Sequence, residues 1–195
     1  GVQTCALPIF RRANEELLDR WLALAAAGKE INVTQEMSEV TLSIVLRSIF
    51  SDDLESITTA HGGNPFALLT DDTERNLGFA YKFRALGKLI MDCIEHRRAR
   101  ADARADLLAM LIEARDRKTD EPMPDRQLLD EVMTLIVAGH ETTASALNWM
   151  WYLLSQHPSV ERRLHAEVDA LEKPPAARSE EHTSELQSRF GISYA

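Results

Sequence analysis

The sequence is poor in residues that staple or interrupt a chain: two cysteines, seven prolines and eight glycines in 195 residues. Cys5 and Cys93 form neither a disulfide framework nor a paired-thiol metal spacing, so a reducing, cytoplasmic setting is the default expectation. No stretch has the pattern of a secretory leader. Long apolar runs are also lacking. Runs such as 22–27 and 135–138 fall far short of the ~20 residues a spanning helix needs, and no membrane segment is expected. Nor is there a basic excess: 22 Lys+Arg stand against 31 Asp+Glu, a net charge of −9, which argues against a nucleic-acid partner. What remains, 45% apolar and 27% charged, suits a globular protein with one sizeable core and excludes disorder and collagen-like repeats.

Both ends differ from what they flank. Residues 1–9 (GVQTCALPI) and 178–195 (RSEEHTSELQSRFGISYA) share neither periodicity nor composition with the interior and resemble translated sequencing-adapter sequence. The expected organisation is therefore an adapter-like 1–9, a folded 10–173, and a linker with an adapter-like end over 174–195. On this reading the chain is an internal piece of a longer reading frame, and Cys93 is its one internal cysteine.

The interior reads as helix after helix, with no strand alternation and no repeat. Leu17, Leu18, Trp21, Leu22 and Ala25 recur at three and four, which predicts a helix from Asn14, its N-cap, to a stop at Gly28. Thr34 is expected to cap a second helix bearing Met37, Val40, Ile44 and Val45 and ending near Phe50. Turn formers over 51–65 predict a loop, and 66–98 a mostly helical stretch. Asp106 is a candidate cap for a helix burying Leu107, Leu108, Met110, Leu111 and Ile112, followed by a polar linker over 116–124. From Asp125 to Gln156 no proline interrupts a helical pattern ~48 Å long at ~1.5 Å per residue. Pro158 then suits the first turn of a helix carrying Val160, Leu164, Val168 and Leu171.

Within the long helix, VAGHETTAS over 137–145 runs against local propensity. Gly139 costs ~1 kcal/mol relative to alanine, Thr142 and Thr143 are β-branched neighbours, and Glu141 sits among apolar residues, where burial would raise its pKa. Local rules that fail on an otherwise consistent element mark functional or strained places. Ala138 and Gly139 are small enough for a flat ligand to approach the backbone. A threonine hydroxyl can bond the carbonyl four residues back and distort the helix. A widened turn beside a hydroxyl and a carboxyl offers a pocket for a diatomic molecule and a proton route to it.

Ala138-Gly139-His140-Glu141-Thr142-Thr143 resembles the oxygen-activation motif, A-G-x-[D/E]-T-T, of the central helix in cytochrome P-450 monooxygenases. DLLAMLIEARD before it, VERRLHAEVDAL after it, and INVTQEMSEVTLSIVLRSIF upstream resemble helices of the same family, so that the resemblance covers most of 10–173. It implies an all-α fragment of a mainly helical fold whose long central helix spans about 125–156. It also implies a haem cofactor, with Ala138, Gly139 and Thr142 over its distal face. Thr142 would steady dioxygen, and Glu141 would be the acid of an acid–alcohol pair admitting the protons that break the O–O bond. Thr143 would be structural. An apolar organic substrate hydroxylated against this helix, and an electron-donating redox partner, are the implied partners.

Other family features are missing. No stretch resembles the Gly-rich loop that carries the axial cysteine, no Glu-x-x-Arg of the family's later helix follows the central one, and Trp21 is followed at the fourth place by Ala25, not arginine. The substrate-facing helix pair looks compressed around 62–65. Cys93 lies on a helical apolar stripe, where packing is the expected role. The chain therefore reads as a fragment inactive by itself, with no metal ligands of its own. Rival enzymes fail on spacing. His140-Glu141 lacks a second histidine at Ala144, and Asp52-Asp53 and Asp71-Asp72 are followed at the fifth place by Ser56 and Arg75, which makes them loop and cap residues. The non-enzymatic alternative is a helical interaction module presenting Trp149, Met150, Trp151 and Leu154. Arg11-Arg12 and the charged run 95–104 read as solvated helix ends, and His61, His96, His157 and His165 as surface or capping residues.

Overall fold

The computed structural model describes residues 2–70, 77–100 and 106–170. Their helices in chain order are α1 (Val2–Ala26), α2 (Val33–Phe50), α3 (Asp53–Ala60), a 3₁₀ turn (Pro65–Leu69), α4 (Leu77–Arg100), α5 (Leu107–Glu113), α6 (Asp125–Gln156) and α7 (Pro158–Asp169). No strand occurs among the described residues, which are bridged in β fashion only where Arg115 meets Pro122. The all-α expectation holds, and the long helix has the predicted bounds. Asp71, Asp72, Leu171 and the segment 174–195 lie outside the described residues.

The helix ends show where local chemistry prevails. Helix α1 starts at Val2, not at Asn14; the Asn14 side-chain amide donates to the Phe10 carbonyl at 2.8 Å, a bond made within the helix, so it caps nothing. At the other end the expected stop is present. Gly28 adopts φ +64°, and the amides of Gly28 and Lys29 turn back to the carbonyls of Ala25 and Leu24, a closure that favours glycine. Asn32, not Thr34, caps α2: its Oδ1 accepts from the Gln35 amide at 3.2 Å from an extended backbone. The cap thus falls two residues earlier, on the better capping side chain.

The expected loop over 51–65 contains a helix, α3, because Leu54 and Ile57 pack onto the core and Asp53 is held by Arg97. The turn formers act on either side of it, at Ser51 and Asp52 before and at Gly62, Gly63 and Asn64 after, where the Asn64 Oδ1 accepts from the Phe66 amide. Asp106 caps α5 as expected, accepting from the Ala109 amide at 2.9 Å. Between α5 and α6 the linker closes on itself. Asp116 Oδ1 accepts from the Lys118 and Thr119 amides, and the Asp116 amide donates to the Glu121 carbonyl.

One core cluster joins Leu42, Leu46, Ile49 and Phe50 of α2 to Leu86, Ile90 and Ile94 of α4, Leu108 of α5, and Leu128, Val132 and Ile136 of α6. Phe66 fills its end, with its ring 5.6 Å from that of Phe50. A second cluster sets Ala13 and Leu17 of α1 against Met37 and Val40 of α2.

The run 95–104 is not simply a solvated end, because Arg97 is buried. Its guanidinium reaches Asp53 Oδ2 and Asp106 Oδ1, each at 2.6 Å, and the Phe50 carbonyl at 2.8 Å. Burial opposes its charge, but the two carboxylates outweigh that and hold its pKa above the ordinary arginine value. One side chain thereby ties α4 to the end of α2, the start of α3 and the cap of α5. Arg11 and Arg12 lie mid-helix, paired with Glu15 and Glu16.

These elements form a compact unit through Trp149, and a second unit begins at Met150. In the second, Pro158 occupies the first turn of α7 as expected, and Val160, Leu164 and Val168 are exposed along it.

Candidate functional site

Helix α6 buries a stripe at every fourth residue: Leu128, Val132, Ile136, His140 and Ala144. A residue two places from a buried one points to the far side of a 3.6-residue turn. The motif is therefore divided between two faces. His140 and Ala144 face the core, and Gly139 faces α2, where a Cβ would lie 3.1 Å from Val45 Cγ2. Ala138, Glu141, Thr142 and Thr143 are exposed.

The expectation of a buried Glu141 carboxyl is corrected. Of its neighbours at three and four places, Ala138 and Ser145 are exposed with it, Val137 is half-buried and only Ala144 faces the core, so Glu141 lies on the exposed side of α6. Both threonines make the expected backward bonds: Thr142 Oγ1 donates to the Ala138 carbonyl at 2.8 Å and Thr143 Oγ1 to the Gly139 carbonyl at 3.1 Å. The helix runs through them without interruption from Asp125 to Gln156.

His140 is the residue that sequence reasoning misses. It occupies the variable place of the motif, yet it is 1% exposed and its Nδ1 bonds the Ile136 carbonyl at 2.8 Å. The signal is there, since 140 continues the series 128, 132, 136. As half of a His-Glu pair the residue invites comparison with zinc ligands, which hides its part in packing.

The outward face consists of Glu131, Leu135, Ala138, Glu141, Thr142, Ser145, Ala146 and Trp149, all exposed. Its middle is made of small side chains, with the Thr142 and Ser145 hydroxyls among them and the Glu141 carboxyl beside them. Cys93 does not belong to this face. It is half-buried against the core, its Sγ lies 3.8 Å from Asp53 Oδ2, and burial, then the neighbouring carboxylate, pushes its thiol up to about 11. Among the described residues no three His, Cys, Asp or Glu side chains converge as a metal site.

A separate groove of about 620 Å³ lies between α3 and α4, floored by Ile57 and Leu89 and rimmed by Asp52, Lys88, Asp92 and His96. Asp52 and Asp53 both line it, one at the N-cap position of α3 and the other paired with Arg97. His61 bonds the Ile57 carbonyl at the end of α3, and His157 precedes α7, the capping positions expected of them. No helix among the described residues is long and apolar enough to cross a membrane.

The family model described as Cytochrome P450 matches residues 63–187. The chain is 34% identical over 160 residues to cyclooctatin synthase of Streptomyces melanosporofaciens, a match covering 73% of this chain and 35% of the relative. It is 28% identical to a bifunctional cytochrome P450/NADPH–P450 reductase of Gibberella moniliformis, covering 80% of this chain and 16% of the relative. Among solved structures it superposes on a cytochrome P450, CYP102L1, with TM-score 0.71 and 21% identity, over 95% of this chain and 46% of that one. The chain belongs to the cytochrome P450 family. It spans about a third of the length of the synthase.

Proposed function

We propose that the chain is the central part of a haem-thiolate monooxygenase, and that the outward face of α6 is the oxygen-side wall of its haem pocket. The observation that carries this reading is the division of the motif: Ala138, Glu141 and Thr142 share one exposed face while Gly139 and His140 are packed away. Ala138 and the Thr142 hydroxyl would hold the macrocycle at its distal side, with Gly139 contributing backbone alone.

Haem, when bound, supplies the redox-active iron at which dioxygen is reduced. This chain's own groups would manage protons. A hydroxyl has one proton to donate and two lone pairs to accept with. The Thr142 proton is committed to the Ala138 carbonyl, so the hydroxyl can pass a proton outward only by receiving one or by turning from that carbonyl. Glu141, next in sequence on the same exposed side, is the group that would resupply it. An apolar organic substrate would rest against Leu135 and Ala138 and be hydroxylated there. The electrons would come from a redox partner, which in the Gibberella relative is named as part of the same chain. A cytoplasmic setting accords with two cysteines and no spanning helix among the described residues.

By itself the chain would be inactive. Nothing in its sequence resembles the axial-cysteine loop, and Cys93 is neutral and turned to Asp53. Family membership favours this reading over a helical interaction module, although Trp149, Met150 and Trp151 are exposed. Two experiments test it. Hemin titrated into the purified chain and reduced under carbon monoxide should give no red-shifted thiolate band; a stoichiometric thiolate spectrum would refute the inactivity. In a complete haem domain carrying this α6, Thr142→Ala should uncouple oxygen reduction from hydroxylation while Thr143→Ala should not. Equal behaviour of the two would refute the assignment of Thr142.

A further inference from the structure

The geometry points to Gly139 as a positioning residue: it lets α6 approach Val45 of α2 closely enough to fix the setting of Ala138, Glu141 and Thr142 on the adjoining exposed face. This role rests on the outward-face reading above, but its test does not involve haem.

A glycine in mid-helix weakens the helix and needs a reason. Here the space left by the missing Cβ is not open to the outward face. It is occupied by α2, with Val45 Cγ2 at 3.1 Å and Cγ1 at 3.6 Å from the position a Cβ would take. Ordinary van der Waals contact between carbons lies near ~3.5–4.0 Å, so an added methyl must push Val45 or α6 aside. Val45 cannot yield easily, because a β-branched side chain in a helix has one strongly preferred rotamer. It is also packed against the main core cluster.

The flanking residues make this contact a register point. His140 is buried beside it, with Nδ1 on the Ile136 carbonyl, and Ala144 is buried one turn on. Glycine, histidine and alanine thus seat the inner side of α6 where the outer side carries the hydroxyl and carboxyl. A rigid helix transmits a displacement at Gly139 to Thr142, less than one turn away. Sequence alone suggests that the small residue makes room for a ligand. The structure assigns its room to α2.

The test is a double-mutant cycle in the 195-residue chain with Gly139→Ala and Val45→Ala, read by denaturant unfolding and by methyl NMR. In an unobstructed helix interior, Gly→Ala favours folding about fivefold. With Val45 present that gain should vanish or reverse. In the Val45→Ala background it should appear, so the effect of Gly139→Ala should differ about fivefold or more between the two backgrounds. Gly139→Ala should also show an NOE between the new methyl at position 139 and the Val45 methyls. The Thr142 methyl resonance should move in the single variant and return towards its original position in the double variant.

A change in global stability alone would not produce that return. If Gly139→Ala fails to fold, a dispersed spectrum in the double variant is the expected rescue. An equal gain in both backgrounds, no NOE, a Thr142 shift that persists in the double variant, or a double variant that stays unfolded would each overturn the proposal. The outcome of the hemin titration would stand unaffected in every case.

Discussion

Arg97 and Asp106 meet at 2.6 Å with their side chains 6% and 5% exposed, and Asp106 also caps α5 with the same Oδ1 oxygen. A charge pair this deep adds little over a well-packed apolar pair, but breaking it strands the survivor. Arg97→Ala should therefore cost about 3–5 kcal/mol by urea unfolding. Asp106→Ala should lose the cap as well. A cost below about 1 kcal/mol for either would contradict the buried network.

The two faces of α6 predict a contrast at nearby positions. His140→Ala removes a buried ring and should destabilise the chain by about 2–5 kcal/mol, as other large-to-small core changes do. Thr142→Ala removes one exposed hydroxyl and should stay within about 0.5 kcal/mol. Thermal unfolding of the two variants decides it; similar losses would mean that α6 is not seated as described.

Moving the α2 cap from Thr34 to Asn32 is checked in the same way. Asn32→Ala should cost about 1 kcal/mol, and Thr34→Ala much less. The reverse order in denaturant midpoints would restore the earlier cap.

The Cys93 thiol is predicted to be slow. With its pKa pushed up to about 11 by burial and Asp53, its thiolate fraction at pH 8 is about 100-fold below that of a thiol of ordinary pKa near 9. Disulfide-exchange labelling of the folded chain should be correspondingly slow, and Asp53→Asn should speed it. The linked effect on stability has a definite sign. Because the folded-state pKa is the higher, the contribution is fully present below about pH 9 and is lost as pH rises towards about 11, where the unfolded thiol ionises first. Cys93→Ser should flatten the pH dependence of stability over that window and leave its slope unchanged below.

Much of the fold is legible because α6 keeps its apolar period from Leu128 to Ala144 and meets no proline from Asp125 to Gln156. Its apolar period and freedom from proline give both bounds, and the closure at Gly28 follows from one residue type. The misreadings share a physical cause. At Asn14, α3 and Arg97, local composition points one way and a partner elsewhere decides otherwise. Asn14 satisfies itself within a helix, α3 is held by Arg97 forty-four residues on, and Arg97 is buried because Asp53, Asp106 and the Phe50 carbonyl converge on it. At the motif, residue identities are readable but their directions are not. Which face carries Glu141 depends on where α2 lies, and no window within α6 contains that fact.

The linker between α5 and α6 has a practical consequence. Asp116 gathers the amides of Lys118 and Thr119, Arg115 bridges to Pro122, and every residue from 116 to 122 is exposed. The two ends of this turn are already side by side, so the closure entropy of a longer loop inserted there grows only slowly with its length. That makes the Thr119–Asp120 junction a natural port for engineering: an epitope, a fluorophore-binding peptide or a new pair of termini could be introduced there without shifting the start of α6. Retention of the native circular-dichroism spectrum after such an insertion, and its loss after the same insertion within α2, would show that this turn can be rebuilt independently of the helices it joins.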